Sequence, residues 1–117
     1  MEKRERSPQE LSAEAAAPML AALGSLPRLA VFRNLLRAGH EGMNVTALQT
    51  ATALPASTLK HHLAALVGTG LVTQLRNGRE VVCTARFEQI HHLSGFLLRE
   101  CCVDAGERVD KTSTASC

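Results

Sequence analysis

The stretch 45–85, VTALQTATALPASTLKHHLAALVGTGLVTQLRNGREVVCTA, decides how this chain folds. It opens with a short helix over Val45–Thr52. Leu54-Pro55 interrupts that helix, because a residue before proline is driven out of the α region, and a new helix begins after the break. In the new helix Leu59, Leu63, Leu66 and Val67 share one face at about 100° per residue, and Gly68 and Gly70 end it. The opposite face carries Ser57, Thr58, His61, Ala64 and Ala65, all small or hydrogen-bonding and none acidic. A helix that enters a major groove must present such a face, although a plain solvated face reads equally well on this helix alone. Two β-prone runs, 71–75 and 80–84, follow at once and flank Arg76-Asn77-Gly78-Arg79, where Asn-Gly is the strongest short hairpin signal. Helix, tight turn, helix and then a hairpin with two arginines at its tip is the winged helix-turn-helix arrangement, whose wing runs along the DNA backbone. From Gly42 through Arg79 there is no Asp or Glu, while Lys60, His61, His62, Arg76 and Arg79 all fall inside. Phosphate neutralisation supplies most sequence-independent binding, so this one-signed segment tips the reading toward DNA.

Outward from that segment the pattern stays helical. Residues 1–8 read as a tail of mixed charge. A first helix is expected from Gln9, with Pro18 inside it and Gly24-Ser25 closing it. A second starts at Pro27 and stops before Gly39, with Leu29, Phe32, Leu35 and Leu36 on one face and Arg28, Arg33 and Arg37 off it. Residues 38–44 make a polar break. The last helix is expected from about Ala85 to Cys102, with Phe87, Ile90, Leu93, Leu97, Leu98 and Cys101 forming a broad apolar stripe. The central elements alone make a small core, so the first and last helices should pack in part against a second copy, giving a two-fold homodimer. The expected organisation is one winged-helix domain over 9–104 and a flexible tail over 105–117.

Composition fits this picture. The chain has 117 residues, 45% of them hydrophobic and 21% charged, which is one ordinary globular domain with a single core. With no Trp, no Tyr and three Phe, the core must be built from Leu, Val and Ala, which favours packed helices over an aromatic-rich sandwich. The net charge of +2 is too small to announce nucleic-acid binding by itself, so placement carries that argument. No apolar run approaches the roughly 18 residues of a membrane span. The four cysteines, at 83, 101, 102 and 117, form no C-x-x-C pair and no disulfide framework, which points to a reducing cytoplasm. No arrangement of nucleophile, base and orienting group, no phosphate loop and no catalytic carboxylate pair can be found, so an enzyme is not expected and no cofactor is required.

The segments LGSLPRLAVFRNLLRAG, LPASTLKHHLAALVGTGLV, LRNGREVVCTA and FLLRECC, spread from about Leu20 to Cys102, resemble the ArsR (arsenic repressor) family of small winged-helix sensors. The resemblance implies a homodimeric repressor that occupies operator DNA when free of effector and lets go when a toxic ion or metalloid binds. Ser57, Thr58, Lys60, His61 and His62 match the family's reading-helix positions, and Arg76 and Arg79 its wing. One departure is clear: the best-known arsenic and cadmium members carry Cys-Val-Cys in the helix before the reading helix, and the corresponding NVTALQTATAL has no cysteine. Glu88, His91, His92 and Glu100 match the family's zinc-type site poorly. The FLLRECC ending resembles the subgroup whose effector site is an adjacent cysteine pair, here Cys101 and Cys102, associated with trivalent arsenic or antimony.

Thiolates are soft ligands, and trivalent arsenic is a thiol-seeking centre, so two neighbouring sulfurs make a chelate. Adjacent residues of a regular helix point about 100° apart, so binding is expected to unwind the last helical turn. A three-sulfur site for arsenite would need Cys117 or Cys83 as well. Cys83 reads more simply as a small buried thiol, and Cys117 equally as an idle terminal residue. With the pair alone, methylarsenite would be preferred over arsenite. Two rival functions use the same scaffold: a thiol redox or reactive-sulfur sensing repressor, and a winged-helix module that binds protein.

Overall fold

Ser12 opens the first helix. Its backbone is extended and its hydroxyl accepts the Ala15 N–H at 3.2 Å, so α1 runs Ala13–Leu23 and not from Gln9. A side-chain cap sets that boundary, and apolar periodicity is blind to it. The computed structural model describes residues 10–105, so the expected tail 1–8 and all but the first residue of the expected tail 105–117 lie outside the described residues. Pro18 stays inside α1, exposed, while Ala16, Met19 and Ala22 turn inward.

Ser25 starts a helix where the sequence suggested an end. Its hydroxyl accepts the Arg28 N–H at 3.3 Å, Pro27 sits in the first turn, and α2 runs Leu26–Ala38 with Val31, Phe32 and Leu35 buried. The polar break that follows is ordered into a single 3-10 turn, Gly39–Glu41, and a two-residue strand, β1, Met43–Asn44. Neither was expected, because two residues carry no strand periodicity. They become a strand through pairing, Met43 opposite Cys83 and Asn44 opposite Val82. Gly42, at φ 71°, permits the approach: a Cβ there would run into the Cys83 carbonyl and come within 2.6 Å of Thr84 Oγ1.

Asn44 then caps α3, Val45–Thr52, by accepting the Ala47 N–H at 2.7 Å. Ala53, in the left-handed region at φ 58°, turns the chain into α4, Ala56–Gly68. Strands β2, Val72–Asn77, and β3, Glu80–Ala85, form the expected hairpin, with Asn77 opposite Glu80 as the last pair. The turn is therefore the two residues Gly78 and Arg79, with Gly78 at φ 68°, and Arg76 belongs to the strand. The antiparallel sheet has the order β1-β3-β2. The last helix, α5, Phe87–Glu100, is shorter than expected at both ends: Ala85 finishes β3, and both cysteines of the pair lie beyond the helix.

The core is the apolar interior of this winged helix-turn-helix. Leu48 of α3, Leu59, Leu63 and Leu66 of α4, and Leu71, Val72, Cys83 and Ala85 of the hairpin close on Val31, Phe32 and Leu35 of α2. Deleting one such leucine side chain to alanine costs about 2–5 kcal/mol. Among the described residues no single helix is long and apolar enough to cross a membrane.

Candidate nucleic-acid interface and sulfur site

Helix α4 is fixed from beneath. With Leu59, Leu63 and Leu66 buried against α2, the residues Ser57, Lys60, His61 and Ala64 are exposed on the other side, and Thr58 is half-buried beside them. The hairpin continues this surface, with Arg76 near the end of β2 and Arg79 in its turn, both exposed. Among the described residues the ion pair recorded is Arg86–Glu88 at 3.4 Å, outside the acid-free segment, so Lys60, Arg76 and Arg79 keep their charge available to an incoming phosphate. The first acid after that segment, Glu80, accepts a hydrogen bond from Asn44 Nδ2 at 3.1 Å. Asn44 thus caps α3 with its oxygen and, with its nitrogen, ties the start of β3 beside the hairpin turn to the helix-turn-helix.

One member of the expected set is elsewhere. His62 is buried, 8% exposed, and its Nδ1 accepts the Nε–H of Arg28 at 3.2 Å, so it does not share the outer surface with Lys60 and His61. The physical reason is angular: one residue is about 100° of helix, enough to carry the ring from the flank of α4 into the crevice against α2. Arg28 was read only as lying off the apolar face of α2; it is half-buried, and its Nη1 also donates to the Ala22 carbonyl at 3.4 Å. Burial, then Arg28, then His61 hold the His62 pKa below 6.5.

The cysteines separate into two environments. Cys83 is fully buried on β3, where Gln74 Nε2 donates to its sulfur at 3.5 Å; burial pushes its pKa up, and the Gln74 contact offsets part of that. It is a core thiol. Among the described residues no three His, Cys, Asp or Glu side chains come together as a metal site. Cys117 lies outside the described residues. Cys101 is extended, at φ −67° and ψ 123°, and Cys102 takes the left-handed region at φ 64°, which brings their sulfurs to 3.6 Å. The regular last turn that binding was expected to unwind is not there: the helix ends at Glu100, and Cys101 and Cys102 follow it. Cys102 is disulfide-bonded in this structure. Of the histidines near α5, His40 packs its ring on Phe87 at 4.8 Å, and His92 contacts Gln89 Oε1 at 3.1 Å.

Residues 28–74 match the family model of a helix-turn-helix domain. A search of the curated proteins gives no match. Among solved structures, the chain is similar to an ArsR-like transcriptional regulator from Rhodococcus sp. RHA1, at 25% identity over 74% of this chain and 79% of that one, with a TM-score of 0.66. It is similar at 30% identity to a possible transcriptional regulatory protein, fragment 1–100, from Mycobacterium bovis, over 78% of this chain and 92% of that one, with a TM-score of 0.59. A solution structure from the same organism, described as the homodimeric winged helix-turn-helix DNA-binding domain of a possible ArsR-family regulator, aligns at 25% identity and a TM-score of 0.58, over 78% of this chain and 80% of that one.

Proposed function

The chain belongs to the ArsR family of winged helix-turn-helix transcriptional regulators, and on that premise we propose that it is a cytoplasmic homodimeric repressor that leaves its operator when trivalent arsenic or antimony binds Cys101 and Cys102. The DNA-binding half of the proposal is supported by the outer surface of α4 together with the wing. Ser57, Thr58, Lys60 and His61 would meet base edges and phosphate, and Arg76 and Arg79 the backbone beside them, on a segment without an acid. The dimer is supported by α5, which leaves Leu97 and Leu98 at 49% and 66% exposure, and by the homodimeric relative. Residues 9–104 would act as one unit in it.

The single observation behind the effector is the sulfur pair. With metal–sulfur bonds on the order of 2.3 Å, as in zinc thiolates, two sulfurs 3.6 Å apart subtend roughly 100° at a shared atom. That suits a trivalent centre holding two thiolates, and with Cys83 in the core it favours methylarsenite over arsenite unless Cys117 adds a third sulfur. Chelation requires Cys102 in its reduced form. The disulfide at Cys102 favours a second reading, in which oxidation of this sulfur is the signal.

Fluorescence anisotropy of the reduced protein on its own upstream DNA, titrated with arsenite, methylarsenite, antimonite and zinc, tests both. Release by a trivalent metalloid and not by zinc supports the first reading. Release only on mild oxidation, with a matching mass shift, supports the second. Absence of salt-sensitive DNA binding would leave the protein-binding module standing.

A further inference from the structure

Among the described residues His62 is the buried polar side chain of the core, and it sits where three helices meet. Arg28, in the first turn of α2, donates Nε–H to His62 Nδ1 on α4 and Nη1–H to the Ala22 carbonyl near the end of α1. A guanidinium has donors only and keeps its proton, so Nδ1 must be bare, and the neutral ring carries its hydrogen on Nε2. We propose that His62 is a positioning residue for DNA recognition: neutral, it latches the reading helix to α1 and α2 through Arg28; protonated, it releases that latch, and the protein holds its operator less tightly in acid. The inference rests on the DNA-binding reading above and adds a regulation to it.

A second proton on His62 removes the acceptor that Arg28 uses and sets two cations against each other at 3.2 Å in a part-buried crevice. The charged or titratable groups acting on the ring are Arg28 from α2 and His61 from its own helix, neither of which welcomes the charge, while α1 contributes only the Ala22 carbonyl, through Arg28. Below about pH 6.5, the unfolded chain takes up a proton that the folded ring resists. The seated form is therefore fully favoured above that value and loses its advantage as pH falls through it. His61 has the opposite influence. It is exposed, its ring lies 5.7 Å from that of His62, and positive charge on it would draw α4 toward phosphate. The sign of the pH effect therefore tells the two histidines apart.

The test is anisotropy on the upstream DNA from about pH 8 to about pH 5.5, at fixed ionic strength, for the reduced wild type and for His62→Asn. Asparagine keeps an acceptor near the Nδ1 position and does not titrate. The wild type should lose affinity about fivefold or more on acidification, while His62→Asn should match it within about twofold at high pH and hold or gain affinity in acid. In parallel, in a His61→Gln background, where His62 is the one imidazole left on α4, the amide shifts of Lys60 and Ala64 in labelled protein without DNA should follow the titration of the His62 ring and stay still when His62→Asn is added. Arg28→Met should move the midpoint of that titration upward. Equal acid weakening in His62→Asn, α4 amides that ignore the ring, or an unmoved midpoint in Arg28→Met would each overturn the latch. The resonance measurements need no DNA, so failure to bind the operator at any pH would sink the DNA reading and leave the latch to be judged on its own.

Discussion

From α2 to β3 the chain buries its own apolar residues, with Val31, Leu35, Leu48, Leu59 and Leu66 wholly enclosed, whereas α5 buries Leu93 alone and leaves Leu97 and Leu98 largely open. The first region needs nothing from outside to hold its shape. The second is amphipathic with no partner on its far side among the described residues, and it ends in the two cysteines, where the backbone has already left the helix. A surface that must present six or so side chains in fixed register belongs on a scaffold that is rigid by its own packing. A signal belongs where local rearrangement costs little, at an element held by few internal contacts. On the function proposed above, the reading surface and the sulfur pair are distributed between the two regions on that logic.

The largest effect should come from exchanging their roles. Leu59→Ala removes a wholly buried side chain beneath the reading helix and should cost about 2–5 kcal/mol in denaturant unfolding, with operator binding lost in proportion to the unfolded fraction. Leu98→Ala, on the open side of α5, should change the unfolding of the isolated protomer by no more than about 0.5 kcal/mol. It should instead raise the concentration at which the dimer forms, read by analytical ultracentrifugation. Equal costs for the two variants in dilute protein would break the comparison.

Next in size is the effector response. Cys101→Ser should leave operator affinity within about twofold and raise the methylarsenite concentration needed for release at least tenfold, about 1.4 kcal/mol of coupling. Normal release by that variant would remove the sulfur pair from the mechanism. A smaller effect belongs to the wing: Arg79→Ala should lower affinity uniformly across DNA sequences and reduce the slope of log K against log salt by about 1. A slope that does not change would place the hairpin turn off the backbone.

Which parts of this were legible in the sequence follows from the range of the signal. The helix-turn-helix was readable because its markers are local: Val45–Thr52 ends one residue before Ala53-Leu54-Pro55, and Asn77-Gly78 marks the hairpin within a residue of its turn. The start of α1 was missed because it hangs on one hydroxyl, Ser12, and β1 because its only reason to exist is a strand about forty residues later. At the candidate site, Lys60, His61, Arg76 and Arg79 were placed by face and by turn. His62 could not be assigned without knowing that Arg28, 34 residues earlier, would reach across to it. The cysteine pair was legible as a pair but not as geometry, since helical periodicity carried Cys101 and Cys102 onto a helix that stops at Glu100.

The smallest effect is expected inside the region that packs best, at its one strained joint. Ala53 ends α3 at φ 58° and ψ 25°, with its N–H on the Gln49 carbonyl at 2.8 Å, and is exposed, so nothing but the turn asks for this backbone. An L-residue with a Cβ pays about 1–2 kcal/mol in the left-handed region, and glycine does not. Glycine in turn loses about 0.4–1 kcal/mol through the greater freedom it gives the unfolded chain. Relief exceeds loss by a small margin, so Ala53→Gly should stabilise the protein by about 0.5 kcal/mol, with no change in the salt slope of DNA binding. A destabilisation would mean that the joint between α3 and α4 is held by the packing around it more than by its own dihedral preference, and the helix-turn-helix would then be as dependent on its surroundings as α5.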